Sequence, residues 1–86
     1  MKATNLHQLS RELRVSLISK FNLKNFSVKL EIINNEAGCI SVELSKYTPI
    51  SPIKVEKFIE RKKLKMILTD GSLKTFENIA VYRVYQ

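Results

Sequence analysis

Between Asn25 and Leu44 the chain alternates apolar and polar residues, NFSVKLEIINNEAGCISVEL, in its clearest run of period two. Phe26, Val28, Leu30 and Ile32 fall on one face of an extended strand, with Ser27, Lys29 and Glu31 on the other. Asn34, Asn35, Glu36, Ala37 and Gly38 supply a polar turn, with Gly38 available for a positive φ. Ile40, Val42 and Leu44 then make a second apolar face, opposite Cys39, Ser41 and Glu43. A hairpin that is apolar on one face and polar on the other is covered on one side only, so the helices are expected on that side.

Upstream the period changes. Leu6, Leu9, Leu13, Leu17 and Phe21 recur every three or four residues and fall within an arc of roughly 120° on a helix. The helix is expected to start near Thr4 or Asn5, either of which can cap a free backbone N–H, and to run to about Lys20, leaving residues 1–4 frayed. Val15 and Ile18 lie outside the stripe beside Arg11 and Arg14, which makes them either an edge of the core or a mixed partner surface. Asn22 to Asn25 is a short connection with a turn-prone residue at each end. Downstream, Ser51 and Pro52 suit the cap and first position of a second helix, with Ile50 and Val55 placed as a hydrophobic staple. Val55, Phe58 and Ile59 form its stripe, and it is expected to end near Lys62.

From Leu64 the period returns to two. Asp70-Gly71 is a hairpin signal joining Met66–Thr69 to Leu73–Phe76. Glu77-Asn78 allows a bend before a last strand over Ala80–Tyr85, where Tyr82 and Val84 alternate with Val81, Arg83 and Tyr85. Both faces of that strand carry apolar residues, so alternation alone does not choose the buried one. The order α-β-β-α-β-β-β predicts one small α+β domain over residues 1–86, with a mostly antiparallel sheet and two helices packed on one face. The alternative is that residues 64–86 form a separate meander beside the main hairpin.

Four stretches, SLISKF, NFSVKL, CISVEL and VEKFIE, carry a family resemblance. An amphipathic helix ending in Phe, a strand reading Phe26-Ser27-Val28, a turn, a strand reading Ile40-Ser41-Val42 and a following helix resemble the large polyvalent protein-associated domain of the twenty-ninth type, found in proteins of phages and conjugative elements. The resemblance spans about residues 9–62. Where that family tends to carry a Trp and an Asp-Gly-Pro turn after the second strand, this chain has Leu44-Ser45-Lys46-Tyr47-Thr48-Pro49. The resemblance implies a mobile genetic element as the setting and brings no activity with it.

Composition narrows the function classes. The 86 residues carry fifteen Lys and Arg against eight Asp and Glu, a net charge of +7, which attracts polyanions over about a Debye length. No apolar run approaches the roughly 20 residues of a membrane span, and the N-terminus lacks an apolar leader block, so no membrane contact and a cytoplasmic setting in the host cell are expected. One cysteine, Cys39, cannot close an internal disulfide, which fits a reducing compartment. One His and one Cys fall short of the about four ligands of a structural zinc site, and neither metal nor other cofactor is expected. His7 sits off the apolar stripe, Cys39 lies in a strand with no activating base nearby in sequence, and no Gly-rich phosphate loop is present. No enzyme is expected.

The charge that is organised lies between residues 54 and 65. Lys54, Lys57 and Arg61 share one flank of the second helix, with Glu56 and Glu60 elsewhere on the helix, and the basic run continues through Lys62, Lys63 and Lys65. These six point to phosphate contacts, sequence-independent and salt-sensitive. Tyr82 and Tyr85, with Arg83 between them, would add base stacking if they face outward. A non-enzymatic protein of a mobile element that touches nucleic acid or a nucleoprotein complex is the first expectation. The second is a counter-defence inhibitor, aimed at a CRISPR or related host defence protein, that acts by occlusion. An open sheet edge also allows pairing with a partner strand or a homodimer.

Overall fold

The computed structural model describes residues 2–3, 5–32, 38–68 and 70–84. The elements in order are β1 (Lys2–Ala3), α1 (Leu6–Phe21), β2 (Ser27–Ile32), β3 (Gly38–Leu44), α2 (Pro52–Lys62), β4 (Lys65–Ile67) and β5 (Leu73–Arg83). They form an α+β fold in which the strands make one sheet of order β1-β4-β5-β3-β2. The Asn34–Ala37 part of the expected turn, Thr4 and Tyr85 lie outside the described residues.

Helix α1 forms where the 3.6-residue stripe predicts it. Leu9, Leu13 and Leu17 are wholly buried, and Leu6 and Phe21 pack at the margin of the core. Asn5 holds extended backbone and its Oδ1 accepts a 2.7 Å hydrogen bond from the Gln8 N–H, the contact an N-cap supplies to an orphan donor. The helix ends on Asn22 in the left-handed region, and Asn25 repeats that conformation. Asn tolerates positive φ better than most residues, so the short connection turns twice within four positions. Leu23 between them is buried. Helix α2 starts at Pro52 with Ser51 in the cap position, yet the Ser51 side chain makes no cap bond, and its backbone carbonyl accepts from Lys54 and Val55 instead. Val55 and Ile59 are buried, and Phe58 meets Phe21 of α1 edge-on at 5.3 Å between ring centres.

The sheet departs from the sequence expectation in three respects. Residues 2–3 are not frayed, because their backbone pairs in parallel with β4, Lys2 opposite Lys65 and Ala3 opposite Met66. The sheet is mixed rather than mostly antiparallel. β2–β3 and β4–β5 are antiparallel hairpins, but β5, not β4, lies beside β3, and after the α2 crossover it runs parallel to it. The third departure explains the second. Leu73–Phe76 and the last strand are not two short strands but one of 11 residues. Its start pairs with β4 (Leu73–Thr75) and its remainder with β3 (Phe76–Arg83). The anticipated bend at Glu77-Asn78 is a β-bulge: Gly38 pairs with Phe76 and Cys39 with Asn78, leaving Glu77 as the extra residue. β4 and β5 are therefore part of the main sheet and not a separate meander.

The register fixes the faces. Ile40 stands beside Ile79, Val42 beside Val81 and Leu44 beside Arg83, all toward the helices. Gly38 belongs to the same face, and its need for glycine is one of space. A Cβ there would collide with the Phe76 ring, which fills the position a side chain would take. Positive φ belongs instead to Gly71, in the turn whose Asp70 Oδ1 accepts from both the N–H and the hydroxyl of Ser72. Those bonds favour the ionised carboxyl and hold Asp70 below its ordinary value.

Candidate nucleic-acid interface

The six basic residues of the second helix and its exit do not form one surface. Lys54, Lys57 and Arg61 are exposed on α2, spaced three and four residues apart, so they line one flank over two turns. Among the described residues, none of the three makes an ion pair with a carboxylate. Glu56 and Glu60 sit farther around the helix. Arg61 and Lys62 also occupy the last turn, where positive charge offsets the exposed carbonyls. Lys62 is half-buried with its Nζ 4.8 Å from the centre of the Phe58 ring, a cation–π contact that draws it toward the core side.

Lys63 and Lys65 belong to a different environment. Lys63 caps α2 in the left-handed region at φ 48°, its N–H donating to the Glu60 carbonyl. Lys65 opens β4 and is half-buried. Both border a hollow of about 340 Å³ between the exit of α2 and the bulge in β5. Its apolar lining is Leu64, Phe76 and Ile79, and Glu60 and Glu77 share its rim with the two lysines. Carboxylates of that number weaken it as a phosphate cradle. The clean basic surface is the flank of Lys54, Lys57 and Arg61.

Tyr82 and Arg83 lie on opposite faces of the sheet, and Tyr85 is outside the described residues. Tyr82 lies on the open face of the sheet, 43% exposed, opposite Glu43 in the β3–β5 register. Its Oη donates a 2.8 Å hydrogen bond to Glu43 Oε1, which holds the proton on the phenol and raises its pKa. Ser27 Oγ donates to the other oxygen of Glu43 at 3.4 Å, so a polar row crosses three strands. Arg83 points the opposite way, because neighbours in a strand alternate faces. Its Nη2 donates 2.8 Å to the Ile50 carbonyl and ties the loop before α2 to the sheet. Arg83 is thus a structural tether on the core side, and Tyr82 is the only described aromatic of the three on the open face. Nothing local in the sequence marks the Glu43–Tyr82 pair, since it depends on a parallel register across 39 residues.

The outer face of α1 is the other surface of note. Val15 is 60% and Ile18 46% exposed. With His7, Ser10, Arg11 and Arg14 they line a shallow depression. Arg14 also lies over the Phe26 ring, its guanidinium carbon 4.8 Å from the ring centre. Cys39 is a free, half-buried thiol on the open sheet face, with Asn78 Nδ2 3.8 Å from its sulfur. Among the described residues no group of three or more His, Cys, Asp or Glu is placed to hold a metal ion. No helix among the described residues is long and apolar enough to cross a membrane. No family model, curated protein or solved structure matches the chain.

Proposed function

We propose that this is a non-catalytic binding protein that meets the phosphate backbone of a nucleic acid, free or within a nucleoprotein complex, along the basic flank of α2. The observation that carries the reading is the row of Lys54, Lys57 and Arg61, exposed on one side of one helix and clear of carboxylate partners among the described residues. Phosphates release condensed counterions when such a row docks, so affinity is set by charge and salt more than by base sequence. Tyr82 on the opposite face does not join this surface. A mobile genetic element as the setting rests on the resemblance of residues 9–62.

Titration of a short DNA or RNA duplex at increasing salt tests the reading. Three phosphate contacts predict a fall of log K with log salt of slope about −2.7 on DNA. Participation of Lys62, Lys63 and Lys65 as well steepens it to about −5. The triple variant Lys54→Ala, Lys57→Ala, Arg61→Ala keeps its fold and loses most of the affinity. Binding that ignores salt, or that survives the triple substitution at low salt, sinks the proposal.

The exposed Val15 and Ile18 favour a second reading, occlusion of a host defence complex by direct protein contact. In that case α1 substitutions such as Val15→Asp abolish capture of the complex from nuclease-treated lysate, and the α2 triple variant does not.

A further inference from the structure

β2 is an edge strand of six residues, with no neighbour on its outer side among the described residues. Such edges are commonly guarded by an outward charge, and Lys29 stands near the middle of this one with its side chain 73% exposed. The guard here is not a lone charge. Glu31 follows two residues later on the same open face, and its Oε1 lies 2.7 Å from Lys29 Nζ. On the core face of the same strand Val28 and Ile32 are only half-buried, on either side of Leu30.

We propose that β2 pairs antiparallel with β2 of a second copy of this chain, about a two-fold axis through Leu30. Only some registers are allowed, because a shift of one residue puts an open-face side chain opposite a core-face one. Of the registers that keep the faces matched, centring on Lys29 sets two lysines opposite each other, and centring on Glu31 sets two glutamates opposite each other. Both juxtapose like charges. Centring on Leu30 sets Lys29 opposite Glu31 of the second copy, twice, and Val28 opposite Ile32 of the second copy, twice. The strand is self-complementary in that register alone among the three.

The ion pairs select the register rather than drive association, since each replaces a bridge that Lys29 and Glu31 already make within one copy. The driving terms are the backbone hydrogen bonds of the unused edge and the further burial of Val28 and Ile32. The two-fold stands normal to the sheet, so both helical layers lie on the same side. Five strand spacings of about 4.8 Å then separate the two β5 strands, roughly 24 Å in all. The pairing is independent of any polyanion contact by α2.

Charge swaps test it. Sedimentation equilibrium of the purified chain is expected to show a reversible species at twice the 10.0 kDa monomer mass. Lys29→Glu and Glu31→Lys, each alone, place like charges opposite each other and weaken the dimer by about tenfold or more. Mixed in equal amounts the two single variants pair again, because each now carries the charges the other lacks. The double variant K29E/E31K dimerises by itself. Circular dichroism on each variant separates loss of pairing from loss of fold, and rescue by mixing is an outcome that misfolded chains do not give. A wild-type chain that stays monomeric at about 1 mM, the weak end of specific association, overturns the proposal. So does a wild-type dimer that Glu31→Lys leaves intact.

Discussion

Helix α1 places three leucines, Leu9, Leu13 and Leu17, entirely out of contact with solvent, whereas α2 does so essentially only for Val55 and Ile59. The N-terminus of α1 is closed by the Asn5 side chain, and its C-terminus by an Asn in the left-handed region. At the same places α2 has Pro52, a Ser51 that makes no side-chain cap bond, and a Lys in the left-handed region. Both helices cover the same face of the sheet. The first is secured by packing and caps along its whole length, and its outer face mixes apolar and basic residues. The second is shorter, is secured chiefly in its middle, and sorts its charges around the axis. In α2, then, less of the surface is committed to the core and more is arranged as a coherent charge.

Core truncations test that contrast most strongly. Leu13→Ala is expected to cost about 2–5 kcal/mol in urea unfolding, from lost burial plus the cavity left behind. Val55→Ala removes less volume and is expected to cost about 2 kcal/mol, at roughly 0.8 kcal/mol per buried CH₂ plus a cavity contribution. Equal losses would mean that α2 is anchored as firmly as α1. Next, Arg83→Ala removes the charged hydrogen bond to Ile50 and is expected to cost about 1.5–3 kcal/mol while leaving polyanion affinity unchanged. A loss of affinity without a loss of stability would instead return Arg83 to the binding surface.

The caps come next in size. Asn5→Ala is expected to lose about 1 kcal/mol, and Ser51→Ala only a few tenths, because only Asn5 makes the cap bond. Lys63→Gly relieves a non-glycine residue of its left-handed conformation and is expected to raise Tm, by about 0.5–1 kcal/mol of stability. The smallest effect belongs to the face that neither helix covers. Glu43 raises the Tyr82 pKa above 10.0, so that interaction favours the fold below the ordinary tyrosine range. It fades as pH rises through the raised value. Tyr82→Phe removes that alkaline component of the stability profile, and Glu43→Gln brings the phenol ionisation, followed by NMR, back toward its ordinary value.

Much of this architecture was legible along the chain. The leucine stripe, the two asparagines at 22 and 25, the 26–32 and 40–44 alternation and the Asp70-Gly71 turn are all local signals, and each one sits where it points. What failed was non-local. The choice of β5 rather than β4 as the neighbour of β3 depends on a crossover, and no residue near the bulge reports it. Glu77-Asn78 allows a bend, and the structure takes it up as a bulge without ending the strand. Gly38 was readable as a special position, but not for its reason, since Phe76 lies 38 residues away. For the basic residues, spacing was enough to group Lys54, Lys57 and Arg61. It could not separate off Lys62, whose ammonium lies over the Phe58 ring, or Lys63 and Lys65, which share a rim with Glu60 and Glu77.

The place of β5 between β3 and β4 also sets an order of events during synthesis. Cys39 pairs with Asn78, so the neighbour that completes β3 emerges 78 − 39 = 39 residues after it. At about 5–20 residues per second, that leaves the nascent hairpin with an unfilled side for roughly 2–8 s. Parallel pairing at such separation is intrinsically slow to form as well. The hairpin must therefore survive as a two-stranded unit propped by α1 until the last fifth of the chain arrives. A ribosome-bound chain stopped before Asn78 would be trapped in that half-finished state, with the sheet still one strand short of closing over its own core.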